Sequence, residues 1–401
     1  MQGDVLERLK ELPNDYIDVI VTSPPYWGLR DYKDPRQIGL EPNPLDYITK
    51  IVQVCQEIKR VLKPTGSFWL NLGDTYFGGN GQCCRPKDWG DLEVSKIEGH
   101  APAEFIRERN KQRSNWLQPK QKMLIPERIA ITLQEQGWIL RNTIVWHKVN
   151  HMPESCRDRL TRSWESVFFF VKSERYFFDL DAIRKPLAPK TLTVHNKYAV
   201  PVLQGDSFDV GFDKKENGFN AMFTKNSKVI HDLRGCNPGD VWSLTNEGLG
   251  EEHFAAFPQK LVKRILEAAA PKEICAVCGK AKTRIVAAEK SIEVQDRKIL
   301  ETQHRIGSSS IFRTKANTVE HKTLGWKTCN CNAGFHTALV LDPFAGAGTT
   351  LLVAHKMGYD WLGIELVPKY CEIIEKRIAK HGRVRLDKFM LVNSSGENSK
   401  T

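Results

Sequence analysis

The sequence predicts an α/β fold, a parallel sheet flanked by helices and interrupted by inserted segments. Three observations carry this reading. Short β-branched runs, Ile17-Asp18-Val19-Ile20-Val21 among them, look like strands buried on both faces. Stretches with apolar residues at helical spacing alternate with those runs, as a parallel sheet requires. Two Pro- or Gly-rich segments directly follow strands: Ser23-Pro24-Pro25-Tyr26 and Asp342-Pro343-Phe344-Ala345-Gly346-Ala347-Gly348. That is the sheet edge where open α/β folds bind ligands.

Taken in order, Val5, Leu6, Leu9 and Leu12 share one helical face, and Pro13-Asn14-Asp15 ends that helix. The strand 17–21 follows. Asn43-Pro44 reads as a cap and a first helical residue. Leu45, Ile48, Ile51, Val52, Cys55, Ile58 and Leu62 then repeat at helical spacing. Pro64-Thr65-Gly66 is expected to turn the chain into a second buried strand, 67–72. From Phe77 to about Lys122 the periodicity fails, and glycines and basic residues (Arg107, Arg109, Lys111, Arg113, Lys120) fill a segment too long for an ordinary connection. Ile125, Ile129 and Leu133 mark a helix opened by Pro126, followed by strands over 138–149 and 164–171. Residues 184–240 again lose periodicity and are rich in lysine. Pro258 starts a helix with Leu261, Val262, Ile265 and Leu266 facing inward. After a cysteine-bearing insertion the sheet resumes at 338–341, with a helix from about Ala347, a strand over 361–364 and a helix from Pro368.

The 401 residues suffice for one large or two moderate domains. Lys and Arg number 59 against 48 Asp and Glu, a net charge of +11 that favours a polyanionic partner, nucleic acid above all. A basic enzyme with no such partner would satisfy the same number. The start Met1-Gln2-Gly3-Asp4 lacks a basic-then-apolar signal pattern. No apolar run approaches the roughly 18 residues of a spanning helix. The expectation is a cytoplasmic protein with no membrane partner. Ten cysteines there suggest free thiols and a metal site rather than disulfides.

The two segments have complementary chemistry. An exocyclic amino group on a nucleobase is a poor nucleophile, because its lone pair is delocalised into the ring. A site helps by accepting both amino hydrogens, which frees that lone pair. Ser23 offers a hydroxyl oxygen and Pro24 a carbonyl, two prolines stiffen the loop, and Tyr26 supplies a flat face for stacking. In the second segment Asp342 ends a strand, and Gly346 and Gly348 let backbone approach a ligand closely. No lysine follows the second glycine, so a nucleoside ligand without phosphates is more natural than a nucleotide. Glu365 ends the next strand, where an acidic residue can hold ribose hydroxyls.

On these motifs the chain resembles the amino-methylating DNA methyltransferases of the β arrangement, in which the catalytic motif precedes the cofactor motif. The resemblance covers most of the chain outside the two irregular segments and the cysteine insertion. It implies a Rossmann-like, S-adenosylmethionine-dependent methyltransferase sheet carrying an inserted recognition region. It implies that Ser23, Pro24, Pro25 and Tyr26 form the catalytic motif. It assigns Asp342, Phe344, Gly346, Gly348 and Thr349 to the methionine part of the cofactor, and Glu365 to its ribose. Gly3-Asp4 would contact the adenine ring, and His253 to Pro258, including Phe257, would also pack on methionine. The run from Trp146 to Lys172, with Pro153-Glu154-Ser155 and Arg157, resembles the family's late-sheet motifs. Two departures stand out. The family usually has a strand before its Gly-Asp pair, whereas this chain begins at Met1-Gln2, which leaves Asp4 less firmly placed; Phe389-Met390-Leu391-Val392 could fill that edge. Ser23 stands where many relatives carry Asp or Asn, and in the family Ser-Pro-Pro-Tyr leans towards the cytosine amino group.

The insertion has its own chemistry. Cys275-x2-Cys278 and Cys329-x-Cys331 flank about fifty residues. Four thiolates in two close pairs suit a structural tetrahedral zinc site, with His336 as a substitute ligand and unligated thiols as the alternative. Basic residues between the pairs could follow DNA phosphates or form a solvated face.

The chain therefore divides into 1–76, the catalytic-motif half; 77–122, an irregular basic loop; 123–183, a continuation of the sheet; and 184–250, a target-recognition region. It continues with 251–273, a cofactor-side helix; 274–335, the Cys-rich insertion; 336–393, the cofactor-binding half; and 394–401, a tail. The leading expectation is a site-specific methyltransferase acting on a base flipped from double-stranded DNA, at N4 of cytosine, with or without a cognate restriction endonuclease. The same mechanism on N6 of adenine is the alternative among enzymes. A DNA-binding module without turnover is the alternative of another class.

Overall fold

The computed structural model describes residues 1–78, 101–111, 116–154, 156–185, 230–232, 236–245, 257–293 and 317–381. Expectations that fall on 79–100, on most of 184–250, on 253–256, on 294–316, on Phe389 to Val392 and on the tail 394–401 lie outside the described residues. The chain divides into two compact units: Met1–Asp179, Gly239–Ala281 and Cys329–Thr401 form the first; Leu180–Pro238 and Lys282–Thr328 form the second.

The described elements, in chain order, begin with helix α1 (Val5–Lys10), strand β1 (Ile17–Thr22), helix α2 (Pro44–Val61) and strand β2 (Leu62–Leu72). Helices α3 (Ala103–Lys111) and α4 (Ile125–Glu135) precede strands β3 (Ile139–Lys148) and β4 (Trp164–Val171). Next come β5 (Ile230–Asp232), β6 (Val241–Leu244), helix α5 (Gln259–Ala269), β7 (Ile274–Cys275), β8 (Thr283–Glu293) and β9 (Asn317–Lys327). The chain closes on β10 (Phe335–His336), β11 (Leu339–Asp342), α6 (Thr349–Lys356), β12 (Asp360–Gly363) and α7 (Pro368–Ala379).

In the first unit, seven strands form one sheet in the order β12-β11-β1-β2-β4-β3-β6. All lie parallel except β4, which runs antiparallel to both β2 and β3. The expected parallel sheet is thus mixed. The reason is local: residues 149–163 hold no helix, and a parallel crossover needs one. Strand β1 is buried at all six positions because both faces are covered. Ile17 and Ile20 face the core under α1, α2 and α4, with Phe68, Leu70 and Leu72 of β2. Val19 and Val21 face the opposite core with Trp69 and Leu261, Val262, Ile265 and Leu266 of α5.

Residues 64–66 differ from expectation. Strand β2 begins at Leu62, immediately after α2, and the pairing with β1 jumps from Ile17↔Leu62 to Val19↔Ser67. Pro64, which has no N–H for a ladder, sits in that bulge. Gly66 is required there, because an added Cβ would lie 2.6 Å from the Asp18 carbonyl oxygen.

The segment 77–122 is not irregular throughout. Its ends are pinned by a Tyr76↔Lys122 bridge, and it contains α3, whose Phe105 is buried edge-on to Trp27 at 6.2 Å. Arg109, one helical turn on, is buried over the same indole at 5.8 Å. That stripe of Phe105 and Arg109 at four-residue spacing was masked by its basic neighbours.

In the second unit, β8 and β9 form a long antiparallel hairpin, and β5 pairs parallel with β9. The segments 184–250 and 274–335 thus contribute to one three-stranded sheet. Among the described residues no helix is long and apolar enough to cross a membrane.

Candidate active site

Strands β1 and β11 are neighbours in the sheet, and both expected motif segments leave from their C-terminal ends. One cleft is lined by Ser23, Pro24, Pro25 and Tyr26 from the first segment and by Asp342, Phe344, Gly346 and Thr349 from the second. Asp4, Phe257 and Glu365 border it too.

The wall built on β1 is held by side chains. The Tyr26 hydroxyl lies 2.8 Å from Glu165 Oε2 and 3.1 Å from Asn71 Oδ1. Its single proton goes to the carboxylate, the stronger acceptor. Burial, then the negative charge of Glu165, pushes the phenol well above its ordinary range, so Tyr26 stays neutral. The Ser23 hydroxyl donates to the Tyr26 oxygen at 3.3 Å. Spending its proton there leaves the Ser23 lone pairs as acceptors. Lys148 pairs with the other oxygen of Glu165, and Asn71 Nδ2 donates to the Ser166 carbonyl at 3.1 Å. The Pro25 carbonyl accepts from the buried Tyr47 hydroxyl at 2.8 Å. Gly73 lies against the Tyr26 ring so closely that a Cβ there would be 2.4 Å from Cε2.

The wall built on β11 is held mainly by backbone. Asp342 Oδ1 accepts from the Thr22 hydroxyl at 2.6 Å and from the Phe344 N–H at 3.1 Å. Burial lifts its carboxyl to about 6, against the pull of those two donors. Glu365 accepts from the Gly346 N–H at 2.8 Å and the Val367 N–H at 2.9 Å, and burial raises its carboxyl as well. Gly346 has φ +51°, and a Cβ there would meet nothing within 4 Å. The Thr349 hydroxyl is buried at the cleft without a hydrogen-bond partner. Asp4 caps α1, accepting from the Leu6 N–H at 2.9 Å. It is fixed because Gly3 donates to the Glu365 carbonyl and Met1 accepts from the Glu365 N–H.

Gly348 is placed differently from the other expected cofactor residues. It does not border the cleft. It caps α6 at φ +75°, where a Cβ would sit 2.7 Å from Ile374 Cγ1. Its role is to turn the chain and let α7 pack. Cys275, Cys278, Cys329 and Cys331 do converge, their sulfurs all within 4.8 Å of one another. His336 is not among them; its Nδ1 faces the Thr337 carbonyl. Sequence reasoning missed Asn71, Gly73, Lys148 and Glu165. A signal existed: Asn71 and Glu165 are polar residues in or beside runs expected to be buried, and a buried polar group is the informative exception.

A nucleoside methyl donor fits these residues. The buried Asp342 and half-buried Glu365 carboxylates, an unpartnered hydroxyl and an open space beside Gly346 would hold its polar parts, and Phe257, Phe344 and Tyr370 its apolar ones. The model of the N6/N4 DNA methylase family matches residues 17–290 and 333–376, and the chain belongs to that family. The Type II methyltransferase M.XycI of Xanthomonas campestris pv. cyanopsidis is 43% identical over 377 residues, 94% of this chain and 86% of that one. M.SmaI of Serratia marcescens is 29% identical over 378 residues, 94% and 89% of the two chains. M.SfiI of Streptomyces fimbriatus is 45% identical over 184 residues, which is 46% of this chain and 38% of that longer protein. Among solved structures, the PvuII DNA methyltransferase, titled cytosine-N4-specific, aligns over 94% of this chain and 84% of its own, with 15% identity and a TM-score of 0.49.

Proposed function

We propose that this methylase acts on N4 of a cytosine flipped out of double-stranded DNA, with S-adenosylmethionine as methyl donor. The observation that carries the reading is the shared cleft, in which Tyr26 and Phe344 line the same space. The donor supplies an electrophilic methyl group on a sulfonium. Asp342, Glu365, Asp4, Thr349, Phe344 and Phe257 would bind and orient it. The base enters against Tyr26. Its amino hydrogens are accepted by Ser23 Oγ and the Pro24 carbonyl, which frees the nitrogen lone pair for the methyl carbon. As the new nitrogen–carbon bond forms, the methyl–sulfur bond would break with its electron pair left on the sulfur as a neutral thioether, and the nitrogen must shed one proton. Ser23 Oγ takes it while passing its own to the Tyr26 oxygen, whose proton moves to Glu165, 2.8 Å away. Ser23 at the head of the motif, where many relatives carry Asp or Asn, supports the cytosine reading, since the family's Ser-Pro-Pro-Tyr leans towards the cytosine amino group.

Incubating the full chain with labelled S-adenosylmethionine and mixed-sequence DNA, then digesting to nucleosides, tests this. Label in N4-methylcytosine is expected. Label in N6-methyladenine would move the target to the other base, and no label at any enzyme concentration would leave a binding module. A cognate restriction endonuclease is proposed as a partner in the cell. Sequencing of modified bases in DNA from expressing cells would give the recognition site.

A further inference from the structure

The strongest feature outside the cleft is the cysteine cluster. Cys275 and Cys278 precede hairpin β8–β9 in the chain, and Cys329 and Cys331 follow it. Around them there is little apolar burial. Residues 276–280 are all exposed, Val277 at 73%, and so are most of 330–336, Phe335 included. Ordering a chain segment costs conformational entropy that such an exposed surface cannot offset by hydrophobic burial. Yet the segment adopts a defined turn. Cys275 N–H donates to the Lys280 carbonyl at 3.0 Å, Gly279 N–H returns to the Cys275 carbonyl at 3.0 Å, and Gly279 holds φ +67°. Strands β7 and β10 then tie the two halves together through Phe335↔Cys275 and His336↔Ile274.

The sulfur separations decide the chemistry. Two disulfides would require each sulfur to sit ~2.05 Å from one partner, whereas all four cysteines are free. A tetrahedron with Zn–S near 2.3 Å places thiolates about 3.8 Å apart, which fits four sulfurs mutually within 4.8 Å. An all-thiolate donor set selects against calcium and magnesium.

We propose that Cys275, Cys278, Cys329 and Cys331 bind one structural zinc ion, which clamps together the two chain ends through which residues 282–328 leave and re-enter the methyltransferase unit. Four protein ligands close the coordination sphere, so the ion takes no part in methyl transfer. Each thiol gives up its proton to solvent as the metal binds.

The test uses the full chain, expressed with supplementary zinc and purified without chelator. Elemental analysis is expected to give about one zinc per chain. Cobalt added to the reduced, metal-stripped chain should produce the strong visible d–d bands and near-ultraviolet thiolate charge transfer of a tetrahedral site, and one equivalent of zinc should abolish them. Cys331→Ser should retain less than a tenth of the zinc after dialysis against a mild chelator, Cys331→His should regain most of it, and Cys236→Ser should lose none. Zinc well below one per chain together with no cobalt bands would overturn the proposal without any appeal to a variant's folding. Iron in place of zinc, or mass-spectrometric evidence of disulfides among the four, would overturn it as well. None of these readouts depends on methyl transfer, so failure here and failure of the proposed activity remain distinguishable.

Discussion

On one wall of the cleft, Tyr26 is positioned by Asn71, Glu165 and Ser23, side chains carried on β2, at the start of β4 and after β1. On the other wall, Asp342 and Glu365 are positioned mainly by N–H groups of the turns that carry them. The wall proposed for the target base is assembled across strands, whereas the wall proposed for the methyl donor is assembled mainly within two consecutive strand–turn–helix units, with the Thr22 hydroxyl reaching Asp342 from β1. Disturbing one partner should therefore misplace the first wall and spare the second. The converse should hold for the turns.

The most severe separation is expected from Tyr26→Ala. It removes the stacking face and breaks the path from Ser23 to Glu165. Methyl transfer should fall roughly 10²–10⁴-fold while the cofactor dissociation constant changes less than about threefold. Isothermal titration with the cofactor beside single-turnover kinetics reads both numbers. Parallel loss of cofactor affinity would mean that the walls are not separable.

Gly73→Ala probes the same wall without touching its chemistry. The new Cβ would press 2.4 Å from the Tyr26 ring, and that ring cannot swing freely because its hydroxyl is tied to Glu165. A displacement of about 1 Å at a reacting group can cost on the order of 10²-fold. The turnover number should drop by that order, and the melting temperature should fall as well, since overpacking of this kind costs about 1–3 kcal/mol. Glu165→Gln acts more gently. It keeps the hydrogen bond to Tyr26 but removes the terminal base, so turnover should fall about tenfold or more. Unchanged turnover would reduce Glu165 to a mechanical prop for the ring.

This asymmetry explains what could be read in advance. Most of the donor wall lies within residues 342–365, so the place of Asp342, Phe344, Gly346 and Glu365 at one sheet edge was legible from spacing and resemblance, while Asp4 and Phe257 come from distant parts of the sequence. Only Gly348 changed its meaning, because its contact with Ile374 depends on how α7 packs. The Ser23-Pro24-Pro25-Tyr26 loop was equally legible, but its supports were not. Glu165 reaches Tyr26 only because β4 runs antiparallel beside β2, bringing Leu72 opposite Ser166. That reversal goes with the link 149–163, whose described residues hold no helix. The bulge in β2 was hidden for a related reason: Pro64 and Gly66 spell a turn locally, and only the pairing with β1 draws them into a strand. The cysteine pairs were legible as a set, while their convergence rests on β7 and β10, each two residues long and without a periodic pattern to announce it.

On the donor wall, Asp342→Asn separates charge from geometry. Its amide oxygen can still accept from Thr22 and Phe344, but the buried charge is gone. Burial raises the Asp342 carboxyl from 3.8 to about 6. Below about pH 4 both folded and unfolded chains are protonated at this site, and no penalty applies. As pH rises towards 6 the unfolded chain ionises first, so stability falls, and above 6 the loss is constant. The loss is on the order of 1–3 kcal/mol. In urea melts without cofactor, the variant should match or exceed the parent at pH 7 and lose that part of the slope between pH 4 and 6. Its cofactor affinity should nevertheless drop, while the Tyr26 network stays intact.

The finest test concerns Thr349. Its hydroxyl is buried at the cleft and has no partner, an arrangement that costs about 1–3 kcal/mol unless a ligand completes it. Thr349→Val removes that polar atom at nearly constant shape. The cofactor-free chain should therefore be no less stable, and thermal melts should show an equal or slightly higher midpoint. With cofactor the sign reverses. Losing one neutral hydrogen bond of roughly 0.5–1.5 kcal/mol should weaken binding by about two- to tenfold, with turnover at saturating cofactor unchanged. A variant that gains stability and keeps full affinity would show that the hydroxyl faces no ligand, and that the donor wall holds its cofactor by carboxylates and backbone alone.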